Sequence, residues 1–217
     1  MNVVEFTHKL LPEITVFPGT PRPVLYKAAL LEKHGYRETA LRIYSHHGTH
    51  MDAPAHILLR GQTLDAIPPG RFIGSALVID CSDAQPDSVL GLERLAPVRF
   101  LADQADFLLL RTGWDRFWGT PAYKEHYPVL GGDLAAYLIA YGKKGVGLDV
   151  ISADAMGAEL PNHYRLLEAG VLIVENLKGL EQAGEGLFTF CALPLHYGDA
   201  DGAPIRAVGI LDSILTN

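Results

Sequence analysis

The sequence predicts an α/β fold in a single compact domain that spans residues 1–217. Short apolar runs, typical of strands that are covered on both faces, alternate along the chain with segments of helical pattern. A length of 217 residues suits one well-packed domain better than two. Gly and Pro are spread along the whole chain rather than gathered in a linker, so no domain boundary is predicted.

The first elements follow a proline-rich loop. Residues 10–23 contain four prolines, which fix φ and disfavour helix at the preceding residues, so we expect an extended segment here. Strands are predicted at residues 24–31 and 37–45. The second of these contains the alternation Leu-Arg-Ile-Tyr at residues 41–44, which is typical of a half-buried strand.

The central part of the chain predicts a buried sheet with helices between its strands. Apolar runs predict strands at residues 74–80, 107–111, 145–150 and 170–175. Helices are predicted at residues 88–95, 133–141 and 163–169. Asp133 is the expected N-cap of the second helix, and Gly142 its C-terminal stop. From Phe188 onward we expect two more strands around the turn Gly-Asp-Ala-Asp-Gly at residues 198–202.

Composition excludes several classes of partner. The net charge is −7 and Lys and Arg do not cluster, which argues against nucleic acid and against anionic membrane surfaces. No apolar run approaches the roughly 20 residues needed to span a bilayer, and the N-terminus lacks the pattern of a signal peptide. Cys81 and Cys191 are far apart in sequence, which suits a reducing compartment. We therefore expect a cytoplasmic enzyme.

A cluster of histidines carries the functional signal. Residues 45–56 read Ser-His-His-Gly-Thr-His-Met-Asp-Ala-Pro-Ala-His. On a strand, His46, His50 and Asp52 would project to one face, and Gly48 would let the backbone bend between them. Two imidazoles and a carboxylate on one face form a ligand set that suits zinc, manganese or iron. The alternative is a run of polar residues along a solvated strand edge.

Further candidates lie at the end of this cluster and beyond it. His56 has the same parity, but Pro54 interrupts the strand, so we expect His56 beside the metal rather than on it. Glu175 ends an apolar strand, where a carboxylate is costly unless another group compensates its charge. His163 begins the helix that leads into that strand. Each of these two could equally be an ordinary surface or helix-start residue, and only the first cluster makes them candidates.

The spacing His-x-Gly-Thr-His-x-Asp-x-Pro-x-His at residues 46–56, followed by a His and a Glu twelve residues apart in HYRLLEAGVLIVENL, resembles the cyclase-like metal hydrolase family. That family includes bacterial kynurenine formamidase (arylformamidase) and isatin hydrolase. The resemblance extends over nearly the whole chain, through VFPGTPRP, LLLRTGW and LPLHYGDADGAPIRAVGIL. The eleven-residue motif is specific, whereas the other segments are weak by themselves.

The resemblance implies roles for individual residues. It assigns His46, His50 and Asp52 to one metal ion. Asp52 would also reach a second ion, with His163 as a ligand of that ion and Glu175 shared between the two. The implied cofactor is Zn²⁺, as one or two ions, with Mn²⁺ as an alternative.

The resemblance also implies the fold and the reaction. It implies a mixed, barrel-like sheet flanked by helices, commonly assembled as a homodimer. His56 matches the catalytic histidine of the family. The expected reaction is hydrolysis of a small aromatic amide, N-formylkynurenine, to kynurenine and formate. Phe17 stands where kynurenine formamidases typically have a Trp that stacks on the substrate ring, and Trp114 is a weaker candidate for that contact.

Other functions stay open at this point. Within the family, the substrate could be a cyclic amide of the isatin type or a lactone, or the protein could be a true cyclase. Ser45 or Ser152 could be the nucleophile of a serine hydrolase, but the sequence has no Gly-x-Ser-x-Gly elbow. A third hypothesis is a non-catalytic binding protein whose fold is stabilised by a metal ion, although structural zinc sites are usually rich in thiolates. Asp149 is expected to be structural, and His196 structural or pocket-lining.

Overall fold

The computed structural model describes residues 2–211 of the chain. Within this range, thirteen short strands form one large sheet and two small ones. The strands are β1 (Val3–Glu5), β2 (Val24–Ala29), β3 (Glu38–Arg42), β4 (His50–Asp52), β5 (Ile73–Asp80), β6 (Val89–Leu90), β7 (Phe107–Arg111), β8 (Val129–Leu130), β9 (Gly145–Leu148), β10 (Leu172–Glu175), β11 (Phe188–Cys191), β12 (Gly202–Pro204) and β13 (Val208–Ile210).

The large sheet is mixed and curled like half a barrel. Its strand order is β1-β13-β11-β5-β7-β9-β10-β4-β12. The central strands β5, β7, β9 and β10 run parallel to their neighbours within this group, and the strands on either side pair antiparallel. This arrangement confirms the predicted α/β fold with a mixed, barrel-like sheet.

Two apolar cores cover the two faces of this sheet. Side chains alternate along a strand, so Phe107 and Leu109 of β7 enter one core while Leu108 and Leu110 enter the other. Burial on both faces explains why the central strands read as continuous apolar runs rather than as alternating ones.

Four α-helices occur within the described residues: α1 (Leu31–His34), α2 (Arg99–Gln104), α3 (Gly132–Ala140) and α4 (Pro161–Glu168). Helix α3 packs against α4, and α4 packs against β10. These two contacts fix the N-terminus of α4 beside the end of β10, where the predicted site residues lie. None of the helices in residues 2–211 has the length and apolar character needed to cross a bilayer.

The predicted helix at residues 88–95 is wrong. Val89–Leu90 form β6, which pairs with β8, and a 3-10 turn covers Leu92–Val98. Pro97 lies inside that turn and cannot donate a backbone hydrogen bond, which opposes a regular α-helix here.

The predicted cap of α3 is also wrong, although the helix itself and its end before Gly142 are confirmed. Gly131 is the N-cap, and Asp133 lies in the first helical turn. The Asp133 carboxylate accepts hydrogen bonds from the backbone N–H of Leu92 at 3.0 Å and of Leu134 at 2.8 Å. Asp133 therefore joins the 3-10 turn to the start of α3.

The strand predicted at residues 107–111 is confirmed with the same bounds, and the remaining predicted elements are confirmed with different bounds. The strand expected at residues 37–45 ends at Arg42, the one expected at 170–175 begins at Leu172, and the C-terminal part holds three short strands rather than two.

Candidate metal centre

The predicted metal ligands, the predicted catalytic histidine and Phe17 all line one cavity of about 280 Å³. Strands β4 and β10 pair antiparallel, with His50 opposite Glu175. Because side chains alternate along a strand, His50, Asp52 and Glu175 project to the same face of the sheet. Met51, between the two β4 residues, is buried in the core on the other face.

Two histidines reach this face from outside the sheet. His46 lies in a turn before β4, so the prediction that it shares a strand with His50 and Asp52 is wrong. Gly48 has φ +68°, a left-handed conformation that few other residues adopt, and it turns the chain between His46 and β4. His163 is supplied by α4.

Asp52 stands at the centre of the cluster. Its Oδ1 lies 2.7 Å from His46 Nδ1 and 3.3 Å from His50 Nε2, and its Oδ2 lies 3.5 Å from His163 Nε2. Glu175 faces two of the same rings, with Oε2 3.5 Å from His50 Nε2 and Oε1 3.3 Å from His163 Nε2. Three imidazoles and two carboxylates therefore converge on one volume.

The chemistry of this donor set fits a divalent cation. Asp52 and Glu175 are only 1% and 4% exposed, and a buried carboxylate is costly without compensating charge. Asp52 Oδ2 is buried and makes no hydrogen bond to any of residues 2–211. Nitrogen and oxygen donors in this ratio suit Zn²⁺ and Mn²⁺.

Two groups of residues bring their donor atoms close enough to share an ion. One group is His46, Asp52 and His56, and the other is His50, Asp52 and Glu175; within each, one donor atom per residue lies within 4.8 Å of the others. Asp52 belongs to both groups, which leaves room for one ion or for two. The first group makes His56 a candidate ligand as well as a candidate catalytic residue.

Neighbouring carboxylates raise the pKa of two histidines of the cluster. Burial by itself lowers the pKa of His46, but hydrogen bonds to Asp201 and Asp52 raise it to about 10. Burial also opposes the charge on His163, and Asp154, Asp52 and Glu175 raise its pKa to about 12. Protons on the ring nitrogens thus balance the carboxylates, and a metal ion that binds here must displace them.

In His50 and His163, the ring nitrogen that faces away from Asp52 and Glu175 makes a hydrogen bond. His50 Nδ1 donates to the carbonyl oxygen of Gly48 at 2.9 Å, and His163 Nδ1 donates to Asp154 Oδ2 at 2.7 Å. His50 and His163 therefore present Nε2 to the carboxylates. A ligating histidine usually has its other N–H anchored in this way, and the anchor fixes the tautomer.

Three residues that support the cluster were not predicted from the sequence. Asp154 orients His163, and Asp201 Oδ2 lies 3.0 Å from His46 Nε2. Asn176 follows Glu175, and its Nδ2 donates to the Gly48 carbonyl at 3.0 Å. Asp201 had one available signal, because it lies in the turn Gly-Asp-Ala-Asp-Gly within the segment LPLHYGDADGAPIRAVGIL, which carries part of the family resemblance.

His56 lies at the edge of the cluster, in a 3-10 turn at Pro54–His56. Its ring centroid is 4.1 Å from that of His46 and 6.2 Å from that of His163. Burial lowers the pKa of His56 below its ordinary value, against the opposing charge of Asp52. A lowered pKa favours the neutral ring, which can accept a proton.

The other candidates have different surroundings. Phe17 lines the cavity and is 44% exposed, whereas Trp114 is buried against Phe117 and does not line it. His196 lines a separate groove, and its interpretation as a pocket-lining residue is consistent with this position. Asp149 accepts hydrogen bonds from the backbone and hydroxyl of Thr112, as expected of a structural group.

The two serines proposed as nucleophiles have partners other than histidine. Ser45 Oγ donates to Asp201 Oδ2 at 3.3 Å, and Ser152 Oγ accepts from the backbone N–H of Asp154 at 3.3 Å. Neither hydrogen bond joins a serine to a histidine base, as a serine hydrolase requires.

Comparison with known proteins gives the family. Residues 4–155 match the sequence model of the family described as "Putative cyclase". The chain belongs to this family. A relative from Bacillus thuringiensis strain Al Hakam, a kynurenine formamidase, is 30% identical over 207 residues, which cover 94% of this chain and 95% of the relative.

Solved structures of cyclase-family proteins have the same fold. Isatin hydrolase A from Labrenzia aggregata, bound to benzyl benzoate, superposes with a TM-score of 0.86 and 26% identity, covering 98% of this chain and 94% of that one. A protein described as a potential metal-dependent hydrolase with cyclase activity gives a TM-score of 0.79 and 25% identity, over 96% of both chains. The predictions of the family, of its fold and of a hydrolytic enzyme are confirmed.

Proposed function

We propose that this cyclase-family hydrolase is an arylformamidase that converts N-formylkynurenine to kynurenine and formate. The observation that carries the proposal is the convergence of His50, Asp52, His163 and Glu175 on one face of a cavity that also holds His56. The kynurenine formamidase relative matches almost the whole chain, which supports this substrate among those known in the family.

We propose that the centre holds Zn²⁺, as one or two ions, with Mn²⁺ as the alternative. The ligands would be His46, His50, Asp52, His163 and Glu175. When bound, a divalent cation supplies Lewis-acid chemistry, since it lowers the pKa of a water molecule to about 7 and polarises a carbonyl group.

The chain's own residues provide proton transfer. His56 stands beside the cluster and burial lowers its pKa, so it can accept a proton from the attacking water and deliver one to the departing nitrogen. In an aryl formamide the departing nitrogen is an aniline, which is a better leaving group than an alkyl amine. A small formyl carbonyl can also reach the floor of a cavity of about 280 Å³.

The walls of the cavity provide substrate binding. Val16, Phe17, Ile151 and Leu160 form an apolar lining on which an aromatic ring can rest. Phe17 presents an exposed ring, and aromatic pairs prefer offset or edge-to-face contact.

A second candidate function is hydrolysis of a cyclic amide of the isatin type. The superposition on isatin hydrolase A favours it, because that structure covers nearly all of this chain. We further propose that the protein is cytoplasmic, that residues 1–217 act as one domain, and that the chain forms a homodimer.

Steady-state kinetics with three substrates test the assignment. Zinc-loaded protein is assayed with N-formylkynurenine, isatin and a simple aryl lactone, with His50→Ala as the control for contaminating activity. We expect the highest kcat/KM for N-formylkynurenine. Rapid opening of isatin without turnover of the formamide would overturn the proposal in favour of the second candidate.

A further inference from the structure

We propose that Asp201 is a positioning residue that holds His46 and His56 in the orientations and tautomers that the reaction needs. The inference rests on the proposed function for the role of His56, and on the donor set of the metal centre for the role of His46. It assigns a task to the turn at residues 198–202.

One oxygen of Asp201 faces both rings. Its Oδ2 lies 3.0 Å from His46 Nε2 and 3.8 Å from His56 Nδ1, and it also accepts a hydrogen bond from Ser45 Oγ at 3.3 Å. The two imidazole centroids are 4.1 Å apart. A single carboxylate therefore stands beside a predicted metal ligand and the predicted catalytic base.

The backbone of the turn is fixed against the strand that carries the metal ligands. The carbonyl oxygen of Asp201 accepts a hydrogen bond from Ala53 N at 3.0 Å, and Gly202 pairs with Asp52 where β12 joins β4. A Cβ atom at Gly202 would lie 2.5 Å from Cε1 of His46, so glycine at this position makes room for the ring. The turn thus accommodates His46 in two ways, because Asp201 contacts its Nε2 and Gly202 leaves space for its ring.

The position of the carboxylate determines which ring nitrogens are available. With Nε2–H of His46 directed at Asp201, Nδ1 is the nitrogen that contacts Asp52 and that would bind a cation once its proton is displaced. His56 Nδ1 lies 3.8 Å from the same oxygen, which is too long for a hydrogen bond but close enough for the carboxylate charge to favour a proton on Nδ1. Nε2 is then the nitrogen left to accept a proton from water and to pass one to the leaving amine. Carboxylates behind ligating histidines act in this way, and their loss typically costs 10–100-fold in metal affinity or activity.

The test combines metal affinity with kinetics. Metal-free wild type, Asp201→Asn and Asp201→Glu are titrated with Zn²⁺ by calorimetry and assayed with N-formylkynurenine. We expect Asp201→Asn to bind Zn²⁺ about 10–100-fold more weakly and to lose kcat with KM unchanged. Asp201→Glu keeps the charge and should recover part of both. Asp199→Asn is the matched control, since Asp199 is exposed, lies in the same turn and tolerates Asn at its positive φ.

Nitrogen-15 spectra of histidine-labelled, zinc-loaded protein give a readout that does not depend on any substrate. In wild type we expect His56 to carry its proton on Nδ1, and in Asp201→Asn we expect both tautomers. Zn²⁺ affinity and tautomers in Asp201→Asn equal to those of Asp199→Asn would overturn the inference. Absence of formamide turnover in the wild type would refute the proposed function instead, because affinity and spectra still decide the role of Asp201.

Discussion

Replacement of Phe17 by Ala tests how the enzyme binds its substrate. An aromatic side chain carries roughly 200 Å² of surface, so the 44% that Phe17 exposes leaves roughly 90 Å² for a substrate ring to cover. Half of that area is worth about 1 kcal/mol at 25 cal/mol per Å², and an aromatic pair adds at least about 0.5 kcal/mol. A loss of about 1.5 kcal/mol corresponds to a roughly tenfold increase in KM.

The assay is steady-state hydrolysis of N-formylkynurenine by zinc-loaded protein. Since Phe17 would contact the substrate equally in the ground and transition states, kcat should change little. Phe17→Trp enlarges the ring and should lower KM below that of the wild type. Phe100→Ala, which removes an exposed ring on α2 outside the cavity, is the matched control. An unchanged KM in Phe17→Ala would refute a contact between this ring and the substrate.

Three further predictions concern single histidines. His50→Ala removes a ligand and should abolish both zinc content and turnover, and full activity in a metal-free preparation of this variant would end the metal hypothesis. His56→Ala should keep its zinc but lose roughly 10²–10⁴-fold in rate; loss of metal in step with activity would make His56 a ligand. His8 is buried and stacked on Trp118, and burial and the charge of Lys178 lower its pKa to about 3. Because the unfolded chain takes up the proton near pH 6.5 and the folded protein does not, the free energy of unfolding falls as the pH drops below 6.5. In urea unfolding, the free energy of unfolding of the wild type should fall by about 2 kcal/mol relative to that of His8→Phe between pH 7 and pH 5. The same pH dependence of this free energy in both proteins would contradict the prediction.

Local patterns in the sequence were sufficient to predict the central sheet and half of the residues of the candidate metal centre. The parity of His50 and Asp52 correctly placed both on one face, because a strand has a strict period of two. The apolar run before Glu175 correctly placed this carboxylate at the end of a buried strand. His46 joins the same cluster for a different reason from the one predicted, since a left-handed glycine turn and not a strand brings it there.

The rest depended on contacts between distant parts of the chain. Asp201 lies 155 residues from His46, and Asn176 lies 126 residues from His50, so neither pairing has a local signal. The wrong prediction of a helix at residues 88–95 has a similar cause, because strand β6 forms only through its pairing with β8, about 40 residues later. Trp114 was a candidate for substrate contact only by residue type, and packing against Phe117 places it in the core.

The central claim is that the cluster around Asp52 and Glu175 is a metal centre that performs hydrolysis. The most direct measurement follows hydrolysis of N-formylkynurenine by protein stripped with a chelator and then titrated with Zn²⁺, while circular dichroism monitors the fold. We predict that stripped protein stays largely folded without activity, and that activity returns in proportion to bound zinc. Full turnover by the folded, metal-free protein would contradict the claim.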